Sequence, residues 1–420
     1  MKARLIFLAL SAVIVLGAFA LFDGKAGDVE APGPVKIAVA TDLHYITPQL
    51  TDNGEYFTRM VTDADGKVML YIDELVQAFA AQIVDEKPAA LILSGDLTFN
   101  GETLSHEALS DILAEVEAGG VPVYVIPGNH DMNSSIAARL SGDEYELVDS
   151  PDEGEFREIY ADFGYDKALA RDEKSLSYVA RIAPGLRVVM LDVNTRTDPG
   201  YVLDGTLDWL EEQLAEAQRA GDKVIAVSHQ NIYAHNPMLT MGYIIGNGGI
   251  LHSMYTEYGV LCNLAGHIHL QHTMNEGGLP EIVTSSLAVN PNQYGVLTVD
   301  GADCEYRTET VDVSGWAEEN GITDENLLNF AEYSEGFFVD TALQQAYDTL
   351  SDAPNADELA NFYADVNTKY FAGRSDLIEW DDALVDAWDG YGYFMSSYFE
   401  SMRMDGAVDH THMSWQAVEK

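Results

Sequence analysis

The sequence predicts an α/β layered domain followed by an all-α helical region. Short, nearly continuous runs of Val, Ile, Leu and Ala recur from Val35 to Val299, the pattern of strands covered on both faces. Stretches with apolar residues every three or four positions lie between several of these runs, so strands alternate with helices. Near Ser314 the alternation stops, and beyond Thr323 the sequence shows only helical spacing.

The strand-like runs are 35–40, 89–94, 121–126, 186–192, 223–228, 260–265, 281–285 and 295–299. Between them, 72–85 carries apolar residues at Ile72, Leu75, Val76, Phe79, Ala80 and Ile83, and 104–118 and 206–220 show similar helical stripes. In the C-terminal part, 338–350 is a further stripe, and Asn355 with Glu358 has the form of a capping box opening a helix through Phe371,. Trp380, Leu384, Val385 and Trp388 make another stripe, and 393–402 a last one. Together they predict a small helical bundle of packing faces rather than cofactor sites. His410 and His412 in the tail read as disordered or solvated.

At the other end, Lys2 and Arg4 precede an uncharged apolar run over 5–22. Positive charge before such a run is an export signal. Ala18-Phe19-Ala20 offers a cleavage site, yet the run is long for a cleaved core and slightly short for a span,. Secretion and N-terminal membrane anchoring therefore both stand. No cysteine follows the run, which excludes lipoprotein attachment there. The expected organisation is signal or anchor 1–22, a Gly/Pro/Ala linker 23–34, an α/β domain 35–313 and a helical domain 314–420.

Net charge is −47, from 69 acidic and 22 basic residues. Such a surface repels polyanions, so a nucleic-acid polymer is not an expected partner. It suits solubility in an external medium better than recognition of a cationic partner. The two cysteines, Cys262 and Cys304, lie in strand-like segments. Two small buried thiols fit them better than one disulfide, and no Cys-based zinc site can be built from them.

Five short motifs each follow a strand-like run: Asp42-Leu43-His44, Gly95-Asp96, Gly128-Asn129-His130-Asp131, Ser228-His229 and Gly266-His267-Ile268-His269. In open α/β sheets, ligands gather at the carboxyl ends of strands, so the motifs converge if their strands are neighbours. Carboxylate, imidazole and amide oxygen ligands suit divalent metals such as zinc, manganese or iron. Glycine beside these residues lets the backbone turn sharply. Asp96 has two carboxylate oxygens with which to bridge two cations. Asp-x-His, Gly-Asp or Ser-His alone would be an ordinary loop. The conjunction of all five is the signal.

In that order, these residues resemble the signature of the calcineurin-like metallophosphoesterases over about residues 35–312. The resemblance implies a two-sheet sandwich flanked by helices, with two divalent or trivalent metal ions (Mn, Fe or Zn) at one edge. It assigns Asp42, His44, Asp96 and His269 to one metal, and Asp96, Asn129, His229 and His267 to the other. His130 would contact the phosphate and protonate the leaving oxygen, and Asp131 would orient His130. Ser94–Glu102, SGDLTFNGE, is similar to bacterial class III cyclic-nucleotide phosphodiesterases, as is a helical extension beyond Ser314. Purple acid phosphatases place a tyrosine ligand three residues after the bridging Asp; here that residue is Phe99.

The expected function is hydrolysis of a small phosphodiester, cyclic nucleotides among the substrates, by in-line attack of a metal-bridging hydroxide. A phosphomonoesterase such as a nucleotidase is the alternative enzyme. A surface interaction protein using the helical domain is the alternative of another class. The segment 51–68 lengthens the stretch between Asp42 and Asp96 and predicts an extra loop or hairpin beside the site. His106 lies on a helical stretch, and His235, His252 and His272 lie in or near loops. Surface roles are expected for these four, with His235 and His272 also placed to line the pocket. Tyr45 could stack on a base or simply pack.

Overall fold

The computed structural model describes residues 33–62, 64–195, 199–350, 353–391 and 393–417. The N-terminal apolar segment and most of the linker lie outside the described residues. Among the described residues no helix is long and apolar enough to cross a membrane.

The strands in chain order are β1 (Val35–Ala40), β2 (Ala90–Leu93), β3 (Val123–Val125), β4 (Ala138–Ser141), β5 (Glu144–Leu147), β6 (Ala170–Arg171), β7 (Tyr178–Ala183), β8 (Leu186–Leu191), β9 (Lys223–Ser228), β10 (Asn263–Ala265), β11 (His272–Glu276), β12 (Leu279–Val283), β13 (Gln293–Asp300), β14 (Asp303–Thr310) and β15 (His412–Gln416). The α-helices are α1 (Glu55–Thr62), α2 (Ile72–Glu86), α3 (Thr103–Ala118), α4 (Glu153–Ile159), α5 (Asp204–Ala220), α6 (Gly248–Tyr258), α7 (Val313–Glu319), α8 (Glu325–Leu328), α9 (Phe330–Leu350), α10 (Ala356–Phe371), α11 (Asp382–Trp388) and α12 (Tyr393–Arg403).

Two sheets form the catalytic sandwich. One runs β15-β14-β13-β1-β2-β3 and the other β11-β12-β10-β9-β8-β7-β6; β4 and β5 form a separate hairpin. The uninterrupted apolar runs become the central parallel strands. β1, β2 and β3 pair parallel, as do β8, β9, β10 and β12. A single apolar core holds residues of both sheets, among them Ile37, Leu91, Val188, Ile225 and Leu264. Burial on both faces is why these strands are continuous rather than alternating in hydrophobicity.

Register brings the motif loops together. Ala40 pairs with Leu93, so β1 and β2 end level, and the pairing continues beyond them as Asp42 N–H to Gly95 O and His44 N–H to Asp96 O, both 3.0 Å. In the second sheet, Val227 pairs with Leu264, and Gly266 N–H donates to His229 O at 3.0 Å.

Helices α9 to α12 make up the helical region. Its apolar cluster includes Leu350, Leu359, Val366, Trp388 and Phe399 and is continuous with Ala265, Ile268, Leu270 and Val283 of the catalytic sandwich. The helical region therefore packs directly behind the Gly266–His269 loop. Asn355 stands at the start of α10, but its side chain makes no capping hydrogen bond, so the capping box read from the sequence does not form.

The tail departs from the sequence reading. Instead of a solvated end it returns to the first sheet as β15, antiparallel to β14 with Cys304 opposite Trp415. Met413 and Trp415 pack on the core, and the Trp415 indole donates to Leu261 O at 2.9 Å. His410 is buried, and His412 remains exposed. Two apolar residues in five are too weak a period-2 signal to reveal a strand. The cysteines are free thiols, both buried.

Candidate dinuclear metal centre

Five of the seven residues expected to bind metal have left-handed backbones: Asp42 (φ 50°), His44 (47°), Asp96 (48°), His267 (74°) and His269 (55°). For residues with a Cβ this conformation is strained and persists only where surrounding structure enforces it. The strain sits at the sharp turns leaving β1, β2 and β10. The neighbouring glycines are needed for close approach. A Cβ on Gly128 would collide with Asp96 Oδ1, and one on Gly266 would collide with Thr41 Oγ1 and Asp42 Oδ2.

Asp42 Oδ2 accepts from Thr41 Oγ1 (2.7 Å) and from His267 N–H (2.8 Å). Its Oδ1 is buried and has no hydrogen-bond donor. Facing that oxygen are His269 Nε2 at 3.3 Å and His44 Nε2 at 3.9 Å, and the two imidazole nitrogens lie 3.1 Å apart. His44 Nε2 is also 4.0 Å from Asp96 Oδ2. That same Asp96 oxygen is 3.3 Å from His229 Nε2, which lies 3.2 Å from Asn129 Oδ1. Asp96 Oδ1 is occupied by the His130 N–H at 2.9 Å.

Two groups of ligand atoms result, Asp42/His44/Asp96/His269 and Asp96/His229/His267, each with its ligand atoms within 4.8 Å of one another. Asp96 belongs to both. A buried carboxylate oxygen faced by two converging imidazole nitrogens is a donor set that fits a cation,. Outer hydrogen bonds set the tautomers. His229 Nδ1 donates to Ser94 O at 2.9 Å, leaving Nε2 free to ligate. His267 Nε2 donates to Gly242 O at 3.0 Å, leaving Nδ1 as its free nitrogen.

Electrostatics point the same way. Burial works against charge on His229, but Asp96 and Asp42 raise its pKa to about 9. His269 is likewise raised to about 9 by Asp42 and Asp65 against the effect of burial. Burial would raise Asp42 and Asp96, yet His269 and His229 respectively hold them well below the ordinary carboxylate range. His44 is pushed well down by burial and by Lys67, and His267 falls to about 4 through burial and the neighbouring His229. The site thus concentrates negative charge that protons partly offset, and cations can replace those protons.

His130 is half-buried at the rim, 5.2 Å from the His44 ring centre. Its expected partner is corrected by the structure. Asp131 is fully buried and accepts from Leu97 N–H, Thr98 N–H, Thr98 Oγ1 and Gly128 N–H. Those four donors use its lone pairs to brace the loops after β2 and β3. The His130 ring instead meets Asn100, with Nδ1 3.3 Å from Oδ1.

Sequence reasoning missed two neighbours. Asn100 lies within the quoted Ser94–Glu102 segment, and Asp65 lies within the insertion read as a loop near the site. Asp65 is 3.5 Å from His269 Nδ1 and 3.0 Å from Lys67 Nζ. The insertion holds the eight-residue helix α1 with loop on either side, and no hairpin among the described residues. Tyr45 is a packing residue, buried with its hydroxyl on Asp73 at 2.8 Å.

His106, His235 and His272 are buried, not on the surface. His106 bridges Tyr160 Oη and Asp131 O, both at 2.8 Å. His235 and His272 join a separate polar chain: Glu281 to His235 (3.2 Å), His235 to His272 (2.9 Å) and His272 to Asp405 (2.9 Å). His410 completes it, 2.9 Å from Asp405. His272, Asp405 and His410 could geometrically hold a cation. However, His410 Nδ1 accepts from Thr273 N–H, which places the ring proton on Nε2, where it donates to Asp405. This group is a clasp between the helical region and β11.

A layered α/β sandwich carrying two oxygen- and nitrogen-rich ligand clusters at its strand ends defines a metal-dependent phosphoester hydrolase. The chain belongs to the calcineurin-like phosphoesterases, whose family model matches residues 35–271. A second model, the C-terminal domain of cyclic nucleotide phosphodiesterase, matches 312–409. A probable cyclic nucleotide phosphodiesterase of Rhodococcus erythropolis is 25% identical over 322 residues, 75% of this chain and 87% of the relative. A probable glycerophosphodiester phosphodiesterase, GpdQ, of Arcobacter nitrofigilis is 24% identical over 248 residues, 56% of this chain and 77% of the relative. Among solved structures, a dimetal phosphatase from Danio rerio is similar at 15% identity and a TM-score of 0.45, covering 65% of this chain and 95% of its own.

Proposed function

We propose that this chain is an extracytoplasmic phosphodiesterase, secreted or anchored by its N-terminal apolar segment, acting on small phosphodiesters with cyclic nucleotides among them. The observation that carries the reading is Asp96, shared by two ligand clusters whose atoms lie within 4.8 Å of one another. Asp42, His44, Asp96 and His269 would hold one metal ion; Asp96, Asn129, His229 and His267 would hold the second. Two bound cations supply Lewis-acid activation of water and offset charge on the phosphoryl oxygens.

The protein's own groups do the rest. Asp42 and Asp96 are fixed by backbone N–H donors, so their free oxygens stay aimed at the site. Asn129 and His130 flank the phosphate and donate to its oxygens as charge develops. His130 Nδ1–H donates to Asn100 Oδ1, which leaves Nε2 for the leaving oxygen; the ring protonated on both nitrogens passes its Nε2 proton to the departing alkoxide and keeps the one on Nδ1. Diesterase activity over monoesterase activity is supported by the two relatives, both named as phosphodiesterases.

A hydrolysis panel tests this. Cyclic nucleotides and linear diesters should turn over faster than nucleoside monophosphates, with metal present. Preference for the monoesters would overturn the diesterase reading.

A further inference from the structure

A cavity of about 470 Å³ opens beside the metal centre, within the usual size range of small-molecule sites. One wall is the His267–Leu270 stretch together with Asp65, and the other is α9 and α10. So the loop that carries two expected metal ligands is also one side of a pocket closed by the C-terminal helices.

The chemistry of the helical wall is selective. Phe338, Tyr363 and Phe371 give it aromatic surface, and Gln345 and Asn367 give it carboxamides. Gln345 Nε2 donates to Ala64 O at 2.9 Å, and Asn367 Nδ2 to Tyr363 O at 2.7 Å. Each amide nitrogen has two hydrogens, so each keeps one for a ligand. Among the described residues neither lysine nor arginine lines the cavity, and Asp65 stands at its metal-facing side. A second phosphate or other anionic group is thereby disfavoured. Aromatic faces with sparse carboxamides suit a flat, uncharged heteroaromatic ring.

We propose that this cavity receives the nucleoside portion of the substrate, so that helices α9 and α10 set specificity while the strand-end loops perform hydrolysis. The proposal rests on the diesterase reading above and adds the group that is recognised.

The test compares cyclic AMP with methyl 4-nitrophenyl phosphate, a diester with no nucleoside, in the full-length metal-loaded protein. Ala342→Phe, on α9, fills the cavity, and Gln345→Ala removes an exposed carboxamide with little risk to folding. Calorimetric titration with adenosine, which has no phosphate, reads the cavity directly. The expected result is adenosine binding by the wild type that weakens in both variants. The kcat/KM for cyclic AMP should fall roughly 10–100-fold in Ala342→Phe, through KM. That fall should exceed the loss on the methyl ester at least tenfold. Equal losses on both substrates, or no loss, in folded Ala342→Phe would overturn the proposal, as would wild-type protein that cleaves the methyl ester yet binds no adenosine. Wild-type protein that cleaves neither diester would instead overturn the diesterase reading, and adenosine binding would still decide the cavity.

Discussion

His130 and Asn129 are adjacent on one tight turn, yet their side chains face different partners. Asn129 Oδ1 points to His229, and the His130 ring points to Asn100. Two consecutive side chains rarely reach one ion, so on the proposed reading metal binding falls to Asn129 and proton transfer to His130. His130→Ala should keep near-normal metal content and lose about 10²–10⁴-fold on a substrate leaving as a ribose alkoxide. It should lose far less on a nitrophenyl diester, whose leaving group needs no proton. His267→Ala should lose metal and fail on both. Kinetics on the two substrates with metal analysis of each variant check this; metal loss in His130→Ala would make it a ligand. At this scale the sequence was informative about the residues that follow strands, because strand ends fix where those side chains go. Asp131 shows the limit. Adjacency to His130 implies a carboxylate–imidazole pair, but three backbone N–H groups from two loops reach Asp131 first. Asn100 and Asp65 arrive from loops whose course no periodicity specifies.

At the scale of elements, α3 is tied to the site through His106. Burial pushes the His106 pKa down to about 3, while an unfolded histidine titrates near 6.5. A depressed folded-state pKa gives stability that is present above pH 6.5 and lost as pH falls toward 3. His106→Gln should be less stable than wild type at pH 7.5, because the Tyr160 and Asp131 hydrogen bonds are weakened. The difference should narrow by about 1 kcal/mol at pH 5.5, since only the wild type must bury a neutral imidazole there. Urea unfolding at the two pH values measures it; a difference that widens in acid would refute the assignment. The central strands were legible because continuous Val/Ile/Leu/Ala runs are what doubly covered strands require. β15 was not, since an edge strand packs on one face only. Its position also means that a chain cut near Asp312 would lose the strand bonded to β14 and uncover that edge,.

Over the whole molecule, one compact unit, Gly33–Lys420, contains both sheets and the helices. The switch from alternating elements to helices near Ser314 was visible in the sequence. What it could not show is that the later helices close a cavity against the His267–Leu270 stretch, because that contact joins segments more than 60 residues apart. Net charge of −47 makes the surface repel polyanions, in keeping with the small phosphodiester proposed as substrate.

On the proposed reading, hydrolysis depends on two cations that the clusters sharing Asp96 would hold. The most direct test of this removes metal with a chelator, then titrates manganese back while bound metal and hydrolysis of bis(4-nitrophenyl) phosphate are followed together. Hydrolysis should be absent without metal and should plateau near two ions per chain, matching the two clusters that share Asp96. Full activity in the metal-free protein would contradict it.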